Sequence, residues 1–249
     1  MRPVRLAFQI VEEIASHQPI GTSELARRLK LSKTTVHRSL KSLHESGWIE
    51  PSEESRTSWL LSIRALVVGG RSVESLGSLR RVCVPVMEDL RRSTGETIHL
   101  LAHYQNNVVL IERLDGIKPV RVFNPFGGRA PLHRTSSGMA ILAHLTRQEQ
   151  NAYFAELRSR TSNRSATDIR GLQDELARIR RRGFSVNLGQ NLPDANAVGA
   201  AIFDARRIPI AAITVSAPSE RMSPALCAKY GPLVNDAARR ISLGMGMRG

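Results

Sequence analysis

With 249 residues, 41% of them hydrophobic, the chain has enough material for two packed domains and is far from a disordered composition. A formal charge of +14, from 36 basic and 22 acidic residues, favours polyanionic partners, nucleic acid first. No apolar run is long enough to span a bilayer, and the opening MRPVRLAFQIVEEIASHQP is broken by Glu12 and Glu13, so it reads as neither a secretory signal nor an anchor.

In chain order, a first helix is expected from about Val4 to Ser16, with Leu6, Ile10 and Ile14 on one face. HQPIG ends it. Thr22 is then expected to cap a second helix, SELARRLK, that buries Leu25, Ala26 and Leu29. Leu31-Ser32 reads as a short turn and Ser32 as the N-cap of a third helix ending near Gly47. WIEP, the acidic tip SEES and TSWLLS read as a small β-hairpin. A helical stretch from about Ile63 to Val73, interrupted at Gly69-Gly70, reads as a connector. The expected division is therefore residues 1–62, a linker 63–78, and a second domain 79–249.

From Leu79 an amphipathic helix (LRRVCVPVMEDLRRSTG) precedes three expected strands, TIHLLAHY, VVLIERL and VRVF, the first two joined at an Asn106-Asn107 turn. The loop NPFGGRAPLHRTS leads to helices SGMAILAHL and RQEQNAYFAEL, then to a basic helix, TDIRGLQDELARIRRRG, stopped by Gly183. Ile169, Leu172, Leu176 and Ile179 mark its buried face, so its arginines and the upstream Arg158, Arg160, Arg164 and Arg170 belong to a solvated side. Strands FSVN, AVGAAIF and IPIAAITVS and a helix from about Ser223 complete the chain. The mixture lacks a regular βαβ alternation, so the fold class is α+β.

The third helix is the most informative segment. Val36, Leu40 and Leu43 form its buried stripe, while Thr34, Arg38 and Lys41, flanked by Lys33 and His37, lie opposite, and no carboxylate occurs between Glu24 and Glu45. Arg and Lys pair with guanine edges, Thr methyls meet thymine, and hydroxyls with a helix N-terminus hold phosphate. With the preceding helix and short turn this is a helix-turn-helix, and the hairpin is its wing. The expected DNA contacts are Ser32, Lys33, Thr34, Thr35, His37, Arg38 and Lys41 on the helix, with Arg56 and Thr57 on the wing. The first 64 residues carry ten Lys/Arg against seven Asp/Glu, so most of the charge excess lies beyond the DNA-binding segment and net charge decides little.

The words TSELARRLKLSKTTVHRSLKSLHESGWIE, GETIHLLAH, RAPLHRTSSGMAILAHL and IRRRGFSVN...VGAAIFDARRIPIAAITVSAP resemble, collinearly, the IclR-type bacterial transcription regulators. APLHRTSSG is the most family-specific of them. The resemblance implies a winged helix-turn-helix joined by a helical linker to a GAF-like mixed α/β effector-binding domain, in a dimer or dimer of dimers. It implies an effector pocket on the sheet, with polar contacts from Ser136 and Ser137, from Asn187, Ala195 and Ala197, and from Thr214 and Ser216. Val122, Phe126 and Ala130 would supply its apolar wall. Independently of the family, exposed amides and hydroxyls at a helix start suit a carboxylate, and Thr214 and Ser216 alternate with Ile213 and Val215, so they share a face. The plainer roles are a cap for Ser136 and Ser137 and strand-forming for Thr214; for His133, a hydrogen bond that holds its loop is preferred to ligand contact. Where many members have Gly-Lys-Ala this chain has Gly138-Met139-Ala140, and NLGQN and Ala197 replace a frequent acidic cluster and a frequent cysteine. The pocket is therefore expected to be less acidic, poorer in metal ligands, and roomier.

An enzyme or protein-interaction module with an appended winged helix is the alternative. Ser136 or Ser137 near His133 lacks a G-x-S-x-G elbow, and neither phosphate-cradling glycine motif is present. His99 and His103 share a strand face but stand too far apart for one ion. The lone Cys83 and Cys227 suit a reducing cytoplasm. The expected partners are near-palindromic double-stranded DNA, a small organic or aromatic acid, and a second copy of the chain, with no cofactor, metal or membrane.

Overall fold

Apolar residues four apart give the first helix a single sticky face, and that face organises the N-terminal unit. In the computed structural model, which describes residues 2–55, 57–75, 77–160 and 168–248, α1 (Arg2–His17) fully buries Ile10 and Ile14 and packs Leu6 beside them. They meet Leu25 and Ala26 of α2 (Thr22–Leu29) and Val36, Leu40 and Leu43 of α3 (Lys33–Glu45). Each large side chain so buried contributes roughly 1.5–3 kcal/mol. Lys30, left-handed at φ 54°, ends α2, and Ser32 caps α3 by accepting from the Thr35 amide at 3.2 Å. Thr22 is not a cap. Gly21 holds the N-cap position, and the Thr22 hydroxyl instead accepts from Trp59 Nε1 at 3.4 Å.

The hairpin forms from β2 (Ile49–Pro51) and β3 (Ser58–Leu61), and a further strand, β1 (Ile20–Gly21), joins it in the antiparallel order β1-β3-β2. At two residues, β1 is too short to carry a sequence period. Helix α4 (Ile63–Ser75) runs unbroken through Gly69 and Gly70, where an interruption was expected. Glycine costs a helix about 1 kcal/mol, which weakens without stopping it. The start of α4 is fastened to the winged unit: Arg64 Nη1 donates to the Ser46 carbonyl at 2.5 Å and the guanidinium lies over the Trp48 ring. The chain thus divides into two compact units, residues 1–76 and 77–249.

The second unit begins with α5 (Gly77–Thr94) and contains β4 (Thr97–Tyr104), β5 (Asn107–Leu114), β6 (Arg129–Pro131), a 3₁₀ turn (Leu132–Arg134), α6 (Ser136–His144), α7 (Arg147–Arg160), α8 (Ile169–Arg182), β7 (Ser185–Leu188), β8 (Ala195–Phe203), β9 (Pro209–Pro218) and α9 (Pro224–Gly244). Among the described residues the strands form one antiparallel sheet, ordered β6-β5-β4-β9-β8-β7. Ile98, Leu100, Val198, Ile213 and Val215 pack against α5 and α9, while Val108 and Ala212 pack beneath α6, α7 and α8.

Two expectations change here. Residues 120–123 form no strand, because the free edge of β5 pairs with β6 through Asn107, Val108 and Val109 and with the Gly127 and Gly128 backbone through Leu110. The β4–β5 turn is Gln105-Asn106, with Gln105 at φ 53°; Asn107 already pairs with Tyr104. The basic helix behaves as expected. Asp168 caps it, Gly183 at φ 84° ends it, and Leu176 and Ile179 are buried. Arg178 and Arg182 pair with Glu175, and Arg180 donates to the Ala143 carbonyl. Arg164 lies outside the described residues.

Candidate nucleic-acid interface and ligand pocket

The outer face of α3 is chemically unspent. Lys33, Thr34, Thr35, His37, Arg38 and Lys41 are exposed, and among the described residues Lys33, Thr34, His37 and Arg38 have no side-chain hydrogen bond or ion pair. Helix α2 contrasts with this, since Glu24 holds both Arg27 (2.9 Å) and Arg28 (2.7 Å). Ser32 and Thr35 serve the cap, their hydroxyls 2.8 Å apart, and Lys41 is only loosely paired with Glu45 at 3.9 Å. In the wing, the Thr57 hydroxyl bonds Ser55 at 2.9 Å; Arg56 lies outside the described residues.

On the α6 side of the sheet lies a cavity of about 270 Å³. Cross-strand pairing sets its floor: His99 and Thr214 line it and lie in a row in which Arg113, His99, Thr214, Gly199 and Ser185 follow one another across β5, β4, β9, β8 and β7. Ser216, Ala197 and Asn187 form the adjacent row. The start of α6 sits on the Gly199–Ser185 end of the first row, where the Ser185 hydroxyl donates to the Ser136 carbonyl at 2.5 Å. A Cβ on Gly199 would come within 2.9 Å of the Ser136 carbonyl carbon, so the glycine is what allows the helix start this close. Thr135 caps α6 by accepting from the Gly138 amide at 2.9 Å, and Met139 makes the first amide-to-carbonyl bond of the helix, to Thr135. The Ser136 and Ser137 amides precede that bond, at the positive end of the helix dipole, and both residues line the cavity.

Ser136, Ser137, Asn187, Ala195, Ala197, Thr214, Ser216, Val122 and Ala130 all line this cavity. Phe126 does not. It is 60% exposed and lies over the Arg113 guanidinium, as does Phe123, with ring centroids 5.4 and 4.3 Å away. Its place in the wall is taken by Asn124 and Pro125. No carboxylate is among the lining residues, and among the described residues no group of three His, Cys, Asp or Glu converges as a metal site. His133 is outside the cavity and bonds Tyr153 Oη through Nδ1 at 2.7 Å, which holds the turn before α6.

The loop that walls the cavity is tied down by charge. Buried Glu96 holds Lys118 at 2.6 Å and Arg221 at 2.9 Å, and Arg221 also donates to the Val120 carbonyl at 2.6 Å. Burial alone would raise the Glu96 carboxyl, but the Arg221 and Lys118 hydrogen bonds outweigh it and hold it below its usual range. Arg113 pairs with Asp115 at 2.8 Å and donates to the Asn124 carbonyl at 2.5 Å. Asn124, Thr135, Asn191 and Asn196 are lining residues that the sequence does not single out, and His99 is a fifth that it marks in another role. His99 was considered only as a metal ligand, yet its position opposite Thr214 puts it on the cavity floor. Burial, with the Arg113 charge beside it, lowers its pKa to about 4, so the ring is neutral.

Residues 72–243 match the family model described as bacterial transcriptional regulator IclR C-terminal, and residues 3–56 match that of the MarR family. The chain is 30% identical over its whole length to the HTH-type transcriptional regulator BhcR of Paracoccus denitrificans, covering 88% of that protein. It is 28% identical to KdgR of Escherichia coli, covering 96% of this chain and 90% of the relative. Among solved structures, an IclR family regulator from Brucella abortus superposes with a TM-score of 0.84 at 21% identity, over 98% of this chain and 92% of that one. An IclR homolog from Microbacterium hydrocarbonoxydans complexed with 4-hydroxybenzoate superposes with a TM-score of 0.73 at 23% identity, over 96% and 98%. The chain therefore belongs to the IclR family of bacterial transcriptional regulators.

Proposed function

We propose that α3 enters the major groove of a near-palindromic operator and that a small organic or aromatic acid in the cavity changes the affinity of the chain for that operator. The observation that supports this most is the combination of a largely unpaired basic and hydroxylic face on α3 with a carboxylate-free cavity beneath the start of α6. Lys33, Thr34, His37, Arg38 and Lys41 supply base-edge and phosphate contacts; Ser32 and Thr35 act through the helix N-terminus, and Arg56 and Thr57 act from the wing. In the cavity, Ser136 and Ser137 receive the acid group, Asn187, Thr214 and Ser216 add hydrogen bonds, and Ala195, Ala197, Ala130 and Val122 leave room for a ring or chain. The complex of a protein of the same fold with 4-hydroxybenzoate supports an aromatic acid.

A palindromic site calls for two copies of the chain. Ile63, Leu66 and Val67 on α4 and Val4 and Phe8 on α1 are exposed apolar residues suited to that contact. The test is fluorescence anisotropy of the full chain on duplex DNA selected from a random pool, with and without added aromatic acids. An acid that shifts the dissociation constant in wild type, and fails to do so in Ala197→Leu, supports the reading. Acids that leave DNA binding unchanged at saturation overturn it.

A further inference from the structure

On the cavity floor, His99 is a buried polar group that is weakly engaged at one of its two nitrogens. His99 is 3% exposed, and its two ring nitrogens are held unequally. Nδ1 lies 3.0 Å from Ser216 Oγ, whereas Nε2 has only the Asn124 side-chain amide, at 3.4 Å, on the loop that walls the cavity. The amide N–H of Asn124 donates to Nε2, which makes Nε2 the acceptor of a neutral ring and leaves Nδ1–H to donate to Ser216. That assignment agrees with the low pKa of about 4 that burial and the neighbouring Arg113 impose. The charged groups facing the ring, Arg113 and Asp115, are paired with each other at 2.8 Å.

His99 also stands in a definite place relative to the start of α6. From His99 on β4, the row passes through Thr214 on β9 to Gly199 on β8, under Ser136 and Ser137. The strand backbones at these two places lie two strand spacings, about 10 Å, apart, a separation on the scale of an acid with its second polar group at the far end of one ring.

We propose that His99 determines the specificity of the pocket: its Nε2 accepts a hydrogen bond from a hydroxyl at the end of the ligand remote from the carboxylate. Hydroxy acids are then selected over the same acids lacking that donor. This rests on the reading of the cavity as an acid site given above. The ligand hydroxyl displaces the long Asn124 bond and leaves no buried acceptor unpaired. A second carboxylate in that position would set its oxygens against the Nε2 lone pair and be rejected.

The test is isothermal titration of the full chain with benzoate, 4-hydroxybenzoate and terephthalate. The expected result is that 4-hydroxybenzoate binds about tenfold more tightly than benzoate, about 1.4 kcal/mol, and terephthalate more weakly than either. His99→Phe should bring the hydroxybenzoate-to-benzoate ratio close to one while benzoate still binds, and Asn124→Ala should keep the preference. Should His99→Phe fail to fold, ring ¹⁵N NMR of the wild type decides: the Nε2 signal moves with 4-hydroxybenzoate and stays with benzoate. Equal binding of these two acids, or a His99→Phe protein that keeps the full preference, overturns the role of His99 while leaving the acid site standing. Absence of binding by all three overturns the acid-site reading and this inference with it.

Discussion

Gly138→Ala is the sharpest test of how the start of α6 is seated. A Cβ at this position would lie 2.3 Å from the Leu132 carbonyl oxygen, 2.4 Å from its Cα and 2.7 Å from its carbonyl carbon. These are backbone atoms, all well inside the roughly 3.5–4.0 Å optimum for carbon contacts, so no rotamer change relieves them. Leu132 cannot swing away, because its side chain is fully buried in the cluster containing Met139, Ile141 and Phe154. Overpacking of this kind costs typically 1–3 kcal/mol, and contact with backbone on one side puts this case at the upper end. Alanine in place of glycine returns about 1 kcal/mol of helix propensity. The net loss is then about 2 kcal/mol, or a melting shift of roughly 4–8 °C for a unit of this size. The assay is thermal and urea unfolding of the full chain, followed at the transition of the second unit. Gly69→Ala serves as control, since nothing lies within 4 Å of its Cβ position on α4. A Gly138→Ala protein that melts at or above the wild type would refute the reasoning.

Two other perturbations follow from the same geometry. Leu40→Ala on α3, at 1% exposure in the N-terminal core, should destabilise the winged unit by about 2–5 kcal/mol; a loss below 1 kcal/mol in denaturant titration would mean the three helices are not packed as described. Glu96 is held below the usual carboxyl value of 4.5, so its stabilisation is complete above that pH and is lost as pH falls through the lowered native value. Glu96→Gln should therefore be less stable than wild type at pH 7, and the gap should narrow in acid unfolding experiments below about pH 4.5. A gap that stays constant down to pH 3 would remove the carboxylate from the clasp.

Much of this architecture was legible because the periods are clean. Val36, Leu40 and Leu43 on α3, and Leu176 and Ile179 on α8, mark buried faces that the fold uses as read. The capping roles of Ser32 and Gly183 followed from local chemistry. What sequence missed depended on partners distant in the chain. Residues 120–123 look like a strand, but the free β5 edge is taken by Arg129–Pro131, a segment with proline and no period. Phe126 reads as a pocket wall, yet Arg113 offers its ring a cationic face at the surface. His99 stands out in the sequence only as half of a rejected metal pair with His103, because its place in the cavity arises only when β4 pairs with β9 and sets it opposite Thr214. Thr22 has the residue type of a cap, but the preceding Gly21 fills that position and Trp59 donates to the Thr22 hydroxyl.

The central claim, that the exposed basic face of α3 carries DNA recognition, is tested most directly by the salt dependence of binding to a selected duplex, measured for wild type, Lys33→Ala and Arg38→Ala. The account predicts a steep fall of affinity with salt. Arg38→Ala should lose about 1–3 kcal/mol on the selected sequence with a changed base preference, and a phosphate-contacting Lys33 should reduce the log–log slope by about 0.9 when replaced. Affinity that is indifferent to salt and to both substitutions would contradict it.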